Sequence, residues 1–96
     1  MAKMLTGATG NTTGTAKARR GDRAVSGVLK YKKTNTGTCT LNLVDGETGA
    51  VLVSLSVGAS NPDAAAVEVL LPKSYYASIT GASGTFSLDA WVDGDE

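Results

Sequence analysis

The chain has 96 residues, nine basic and nine acidic side chains, no histidine and one cysteine. That length suits one domain, and the absent imidazoles and paired thiols exclude histidine-based catalysis, an internal disulfide and a cysteine-rich zinc site. Zero net charge hides two opposed halves: residues 1–33 carry eight cations against Asp22, net +7, and residues 34–96 carry Lys73 against eight acids, net −7.

Gly, Ala, Ser and Thr make up 45 of the 96 residues. Such small and hydroxylic residues suit tight turns and pleated surfaces better than helices. With nine Val and nine Leu against one Phe and one Trp, any core is aliphatic. No apolar run approaches the roughly 18 residues of a membrane-spanning helix. Residues 1–5 are too short for a signal-peptide core, so the expectation is a soluble chain made without export.

Residues 6–15, Thr-Gly-Ala-Thr-Gly-Asn-Thr-Thr-Gly-Thr, have no apolar anchor. The reading is a flexible Gly/Thr-rich arm over 1–15, followed by one β-sandwich domain over 16–96. Residues 16–20 are open to two readings, a first outer strand or a continuation of the arm. From there the period is two. Val25, Gly27, Leu29 and Tyr31 alternate with Ser26, Val28 and Lys30, and Asn35-Thr36-Gly37 turns the chain. Cys39, Leu41 and Leu43 alternate with Thr38, Thr40 and Asn42, a half-buried strand with a polar outer side. Asp45-Gly46 and Gly49 then lead into Val51, Val53, Leu55 and Val57, the best hairpin signal in the chain.

Gly58–Asp63 reads as a loop, and Val67, Val69 and Leu71 as a strand ended by Pro72. Tyr75, Ala77 and Ile79 run toward an expected turn at Gly81-Ala82-Ser83-Gly84. Phe86, Leu88, Ala90 and Val92 then alternate with Ser87, Asp89 and Trp91. Six or seven short strands with glycine turns predict an all-β fold, an antiparallel sandwich or a jelly-roll-like barrel.

The chemical motifs are thin. Thr6-Gly7-Ala8-Thr9-Gly10 looks like a dinucleotide-binding turn, but neither the buried strand before it nor the helix after it is present. Arg20-Gly21-Asp22 spells an adhesion tripeptide and reads better as a turn. Asn11-Thr12-Thr13 fits a glycosylation sequon that a non-exported chain does not use. Asp93, Asp95 and Glu96 lack the spacing of a calcium loop. Cys39 has no histidine to activate it and reads as a core thiol. No catalytic residue, cofactor or metal site is expected.

Lys17, Arg19, Arg20 and Arg23, with Lys30, Lys32 and Lys33, form a basic segment. Nucleic-acid readers add net positive charge and exposed aromatics, so the balance argues against that partner. Trp91 sits by alternation on the polar side of the last strand, where it is either a contact residue or covered by a second layer. Tyr75 and Tyr76 point to opposite faces. Lys17, Arg19, Arg20, Arg23, Tyr75, Tyr76 and Trp91 are thus the candidate interface.

The order of features resembles small β-sandwich virion proteins of tailed bacteriophages. Leu41-Asn42-Leu43-Val44-Asp45-Gly46 leads into Val51-Leu52-Val53-Ser54-Leu55. Val67-Glu68-Val69-Leu70-Leu71-Pro72 leads into Ser74-Tyr75-Tyr76-Ala77, and Thr80-Gly81-Ala82-Ser83-Gly84-Thr85-Phe86 precedes the last strand. Over about residues 23–92 this is similar to head-decoration (cement) and head-fibre base proteins, although the usual aromatic between the two central strands is absent. The resemblance implies a structural protein on the capsid surface, synthesised in the host cytoplasm, bound to the major capsid protein and commonly homotrimeric. The residues themselves point the same way, since a small core gains from oligomerisation. A second expectation is a carbohydrate- or receptor-binding module of a phage tail or fibre, with Tyr75, Tyr76 and Trp91 as stacking platforms.

Overall fold

A computed structural model describes residues 3–7, 10–18, 23–34, 37–58 and 64–93. They form nine strands: β1 (Lys3–Gly7), β2 (Thr12–Thr13), β3 (Lys17–Ala18), β4 (Val25–Thr34), β5 (Thr38–Asp45), β6 (Val51–Val57), β7 (Ala64–Leu71), β8 (Ser74–Ser83) and β9 (Ser87–Asp93). One antiparallel sheet has the order β1-β9-β4-β7, and the other β2-β8-β5-β6, with β3 also on β8. The sheets keep open edges and pack face to face. This is a sandwich, not a closed barrel.

Alternation decides which side chains meet. Leu29 and Tyr31 of β4, Leu41 and Leu43 of β5, Tyr75, Ala77 and Ile79 of β8, and Leu88 and Ala90 of β9 all lie between the sheets. Leu29, Leu41, Leu43, Tyr75, Ala77, Leu88 and Ala90 are fully enclosed. Each leucine among them contributes about 1.5–3 kcal/mol relative to exposure.

The additional strands come from the first 18 residues, including the stretch read as an arm. β1 pairs with β9, β2 pairs with β8 at Ile79 and Ser78, and β3 pairs with β8 at Tyr75 and Ser74. Main-chain hydrogen bonds ask little of side chains, so a Gly/Thr segment can add to an existing edge. Leu5, only 5% exposed, supplies the apolar anchor that residues 6–15 lack.

The Asp45 hairpin forms as expected. The Asp45 amide donates to the Ala50 carbonyl at 2.8 Å, while the Asp45 carboxylate accepts from the amides of Glu47 and Thr48. The expected turn at Gly81–Gly84 differs. β8 runs through it to Ser83, with an extra residue between the pairs Thr40–Thr80 and Thr38–Ser83. Gly81 takes φ +60° there, so it serves a bulge inside the strand. The expected loop at Gly58–Asp63 lies mostly outside the described residues, as do Asn35 and Thr36 of the first turn.

Candidate interaction surface

The outer side of the β1-β9-β4-β7 sheet collects the polar residues that alternate with the core. β9 contributes Ser87, Asp89, Trp91 and Asp93, and β4 contributes Ser26, Val28, Lys30 and Lys32. Register fixes their neighbours. Trp91 stands opposite Lys30 on one flank and Lys3 on the other, and Lys32 stands opposite Asp89. The Lys30 ammonium donates to the Asp93 carboxylate at 3.2 Å, and the Thr6 hydroxyl donates to the Asp89 carboxylate at 3.1 Å. The basic segment and the acidic segment thus meet strand to strand within the fold. Half-exposed pairs of this kind add at most about 1 kcal/mol each, so their larger effect is to hold a patterned face.

On the same sheet a cleft of about 280 Å³ is lined by Ser26, Gly27, Val28, Glu68 and Asp93. Val28 lies opposite both Asp93 and Glu68, so the two carboxylates sit on either side of one valine. Both residues are exposed. Sequence reasoning missed Glu68 and Asp93 as neighbours because their strands are joined only through β4. Among the described residues, no group of three His, Cys, Asp or Glu side chains is placed to hold a metal ion.

The outer side of the other sheet is chemically distinct. The Ser54 hydroxyl donates to the Asn42 side-chain oxygen at 2.6 Å, and the Asn42 amide donates to Thr80 at 3.0 Å and toward Ser78 at 3.5 Å. Asn42 is 7% exposed, so this network satisfies a nearly buried amide. Thr40, Ser56 and Thr80 continue the row, giving a hydroxyl-rich strip without charge.

The five candidate residues among those described do not converge. Trp91 is half-buried on the outer face of the first sheet, in the phase expected. Tyr76 is half-buried on the outer face of the second. Tyr75 is fully buried in the core and has no surface to offer a partner or a sugar, because its phase matches Ala77 and Ile79. Lys17 lies on the exposed edge strand β3, beside Tyr75 in register, and Arg23 is exposed just before β4. Arg19 and Arg20 lie outside the described residues.

Lys33, grouped by type with the surface cations, is 1% exposed. It shares the phase of Leu29 and Tyr31 and so enters the sandwich, near Cys39 at the start of β5. Burial pushes the Cys39 thiol pKa up, and the positive charge of Lys33 opposes that rise. The chain matches no protein-family model, no curated protein and no solved structure.

Proposed function

We propose that this chain is a non-catalytic structural protein of a bacteriophage virion, one that decorates the capsid by binding major capsid protein subunits. The observation that carries the reading is the outer face around Trp91, with cations on β4 and acids on β9 arranged in register. A partly buried tryptophan inside a ring of charges has the make-up of an interface hot spot with a polar rim. The strand and turn order of residues 23–92 supports the same reading by its resemblance to cement proteins, which also implies association in threes. A repeating shell multiplies a modest contact by avidity.

The test is co-sedimentation with undecorated shells. Trp91→Ala removes an exposed-side ring and leaves the core intact, so the variant stays folded. Its binding falls by about 30-fold or more, the effect of losing a hot-spot side chain. Equal binding by parent and variant overturns this face as the contact.

The placement of Trp91 between Asp89 and Asp93 on one strand also favours a second reading, a carbohydrate-binding module, since sugars stack on aromatic rings flanked by carboxylates. Glycan binding lost in the same variant, with no affinity for shells, selects it.

A further inference from the structure

We propose that two copies of this chain pair through β7, antiparallel about a two-fold axis at Val67, extending the four-stranded sheet across both. The inference concerns self-association alone and stands or falls apart from the decoration reading.

The argument begins with how each sheet edge is treated. An uncovered edge strand presents unpaired amides and carbonyls, and proteins blunt such edges with bulges, short strands or charge. β1 carries a bulge between Lys3 and Leu5, β2 and β3 are two residues each, and β6 carries a bulge opposite Leu43 and Val44. β7 is neither bulged nor short. It pairs with β4 in unbroken register from Leu71 to Ala64, and Glu68 is its single charge. No strand covers its other side among the described residues.

The same flank leaves the core incompletely closed. Val67 and Val69 point inward, opposite Leu29 and Gly27, yet are only half-buried. Val53 and Leu55 of neighbouring β6 are in the same state, and Leu70 is 62% exposed on the outer side. On the opposite flank, Leu5, Ile79 and Leu88 are enclosed. The core is finished on one side and open on the other.

The occupant follows from register. Opposed residues in an antiparallel pair share a face, so a two-fold pairing must set outward residues against outward ones. Centring on Glu68 sets two carboxylates against each other, which is destabilising. Centring on Ala66 pairs only residues 64–68. Centring on Val67 pairs residues 64–70, with Ala64 against the partner's Leu70 and Ala66 against the partner's Glu68. The small alanines make room for the larger side chains. Lys30 stands next to Ala66 in the same row, and although its ammonium is bonded to Asp93, its positive charge lies within two strand spacings of the partner's Glu68. The edge is self-complementary in shape and in charge.

Two variants at Ala66 separate this pairing from any effect on the fold. Within one chain, Ala66→Glu gains a carboxylate beside Lys30 and stabilises the monomer, while Ala66→Lys adds a like charge and weakens it. Across the two-fold axis the signs reverse, because the neighbour is the partner's Glu68. Sedimentation equilibrium of the full chain therefore shows dimers, or hexamers if a three-fold contact also forms. Dimer affinity is about tenfold weaker in Ala66→Glu and stronger in Ala66→Lys. Val67→Cys in a Cys39→Ala background forms a disulfide-linked dimer under mild oxidation, because the new thiols oppose one another. A monomer at millimolar concentration, a trimer without this cross-link, or equal affinities for the two Ala66 variants overturns the proposal.

Discussion

At the scale of single residues, Cys39 and Lys33 share the end of the sandwich interior where β4 hands over to β5. The folded thiol has its pKa raised, chiefly by burial, with Lys33 pulling partly against it. In the unfolded chain it returns to about 8.5. Between that value and the raised one, the unfolded chain has lost the proton and the folded chain has kept it. The folded state therefore loses stability as pH rises through that window, and the full contribution is present below it. Urea titrations from about pH 8 to about pH 10 should show a falling midpoint. Cys39→Ala should lower the midpoint at every pH but flatten its slope over this range. Identical slopes in parent and variant would show that the thiol titrates alike in both states.

At the scale of elements, the connection between β4 and β5 leans on the one between β8 and β9. The Gly37 amide donates to the Thr85 carbonyl at 3.0 Å. A Cβ at Gly37 would lie 2.6 Å from that carbonyl oxygen and 3.0 Å from the buried Phe86 ring, and the Thr85 backbone has little room to yield. Gly37→Ala is expected to cost about 2–4 kcal/mol, the range for strain at a constrained backbone site, read as a lowered denaturation midpoint. The six main strands are legible in the sequence because each buries one face, which imposes period two. β1 and β2 are not, and β3 is one of the two readings of residues 16–20, because strands this short are held by their backbone and leave little pattern in their side chains. Lys33 shows the opposite failure. Its phase with Leu29 and Tyr31 pointed inward, but its residue type suggested the surface. The face around Trp91 was half legible: alternation put Trp91 with Asp89, but its meeting with Lys30 depends on strand order.

At the scale of the whole molecule, the opposed charge halves meet in one sheet, and β1, β2 and β3 cover one flank of both sheets. Removing residues 1–18 would uncover β8 and β9 and delete the Leu5 anchor. The expected result is a loss of about 3–5 kcal/mol, a large share of a small domain's stability, with aggregation visible by light scattering. An unchanged midpoint would mean that this segment acts as a passive arm. The described candidate residues are scattered for a related reason. The sequence lists its aromatics and cations in chain order, whereas the sandwich sends neighbours such as Tyr75 and Tyr76 to opposite environments.

The strand order also governs when this protein can fold. β5 and β6 are the one pair of consecutive described strands that bond directly. Every other ladder joins distant parts of the chain, and topologies of that kind fold slowly because loop entropy is lost before contacts repay it. β9, the last of the nine described strands in chain order, lies in the interior of its sheet between β1 and β4. A growing chain on the ribosome therefore carries β1, β4 and β7 without the strand that joins β1 to β4. Until residues 87–93 emerge, Leu29 and Tyr31 have no completed layer to enter. Completion of the β1-β9-β4-β7 sheet therefore waits for β9 to leave the ribosome, whatever the order in which the earlier strands appear.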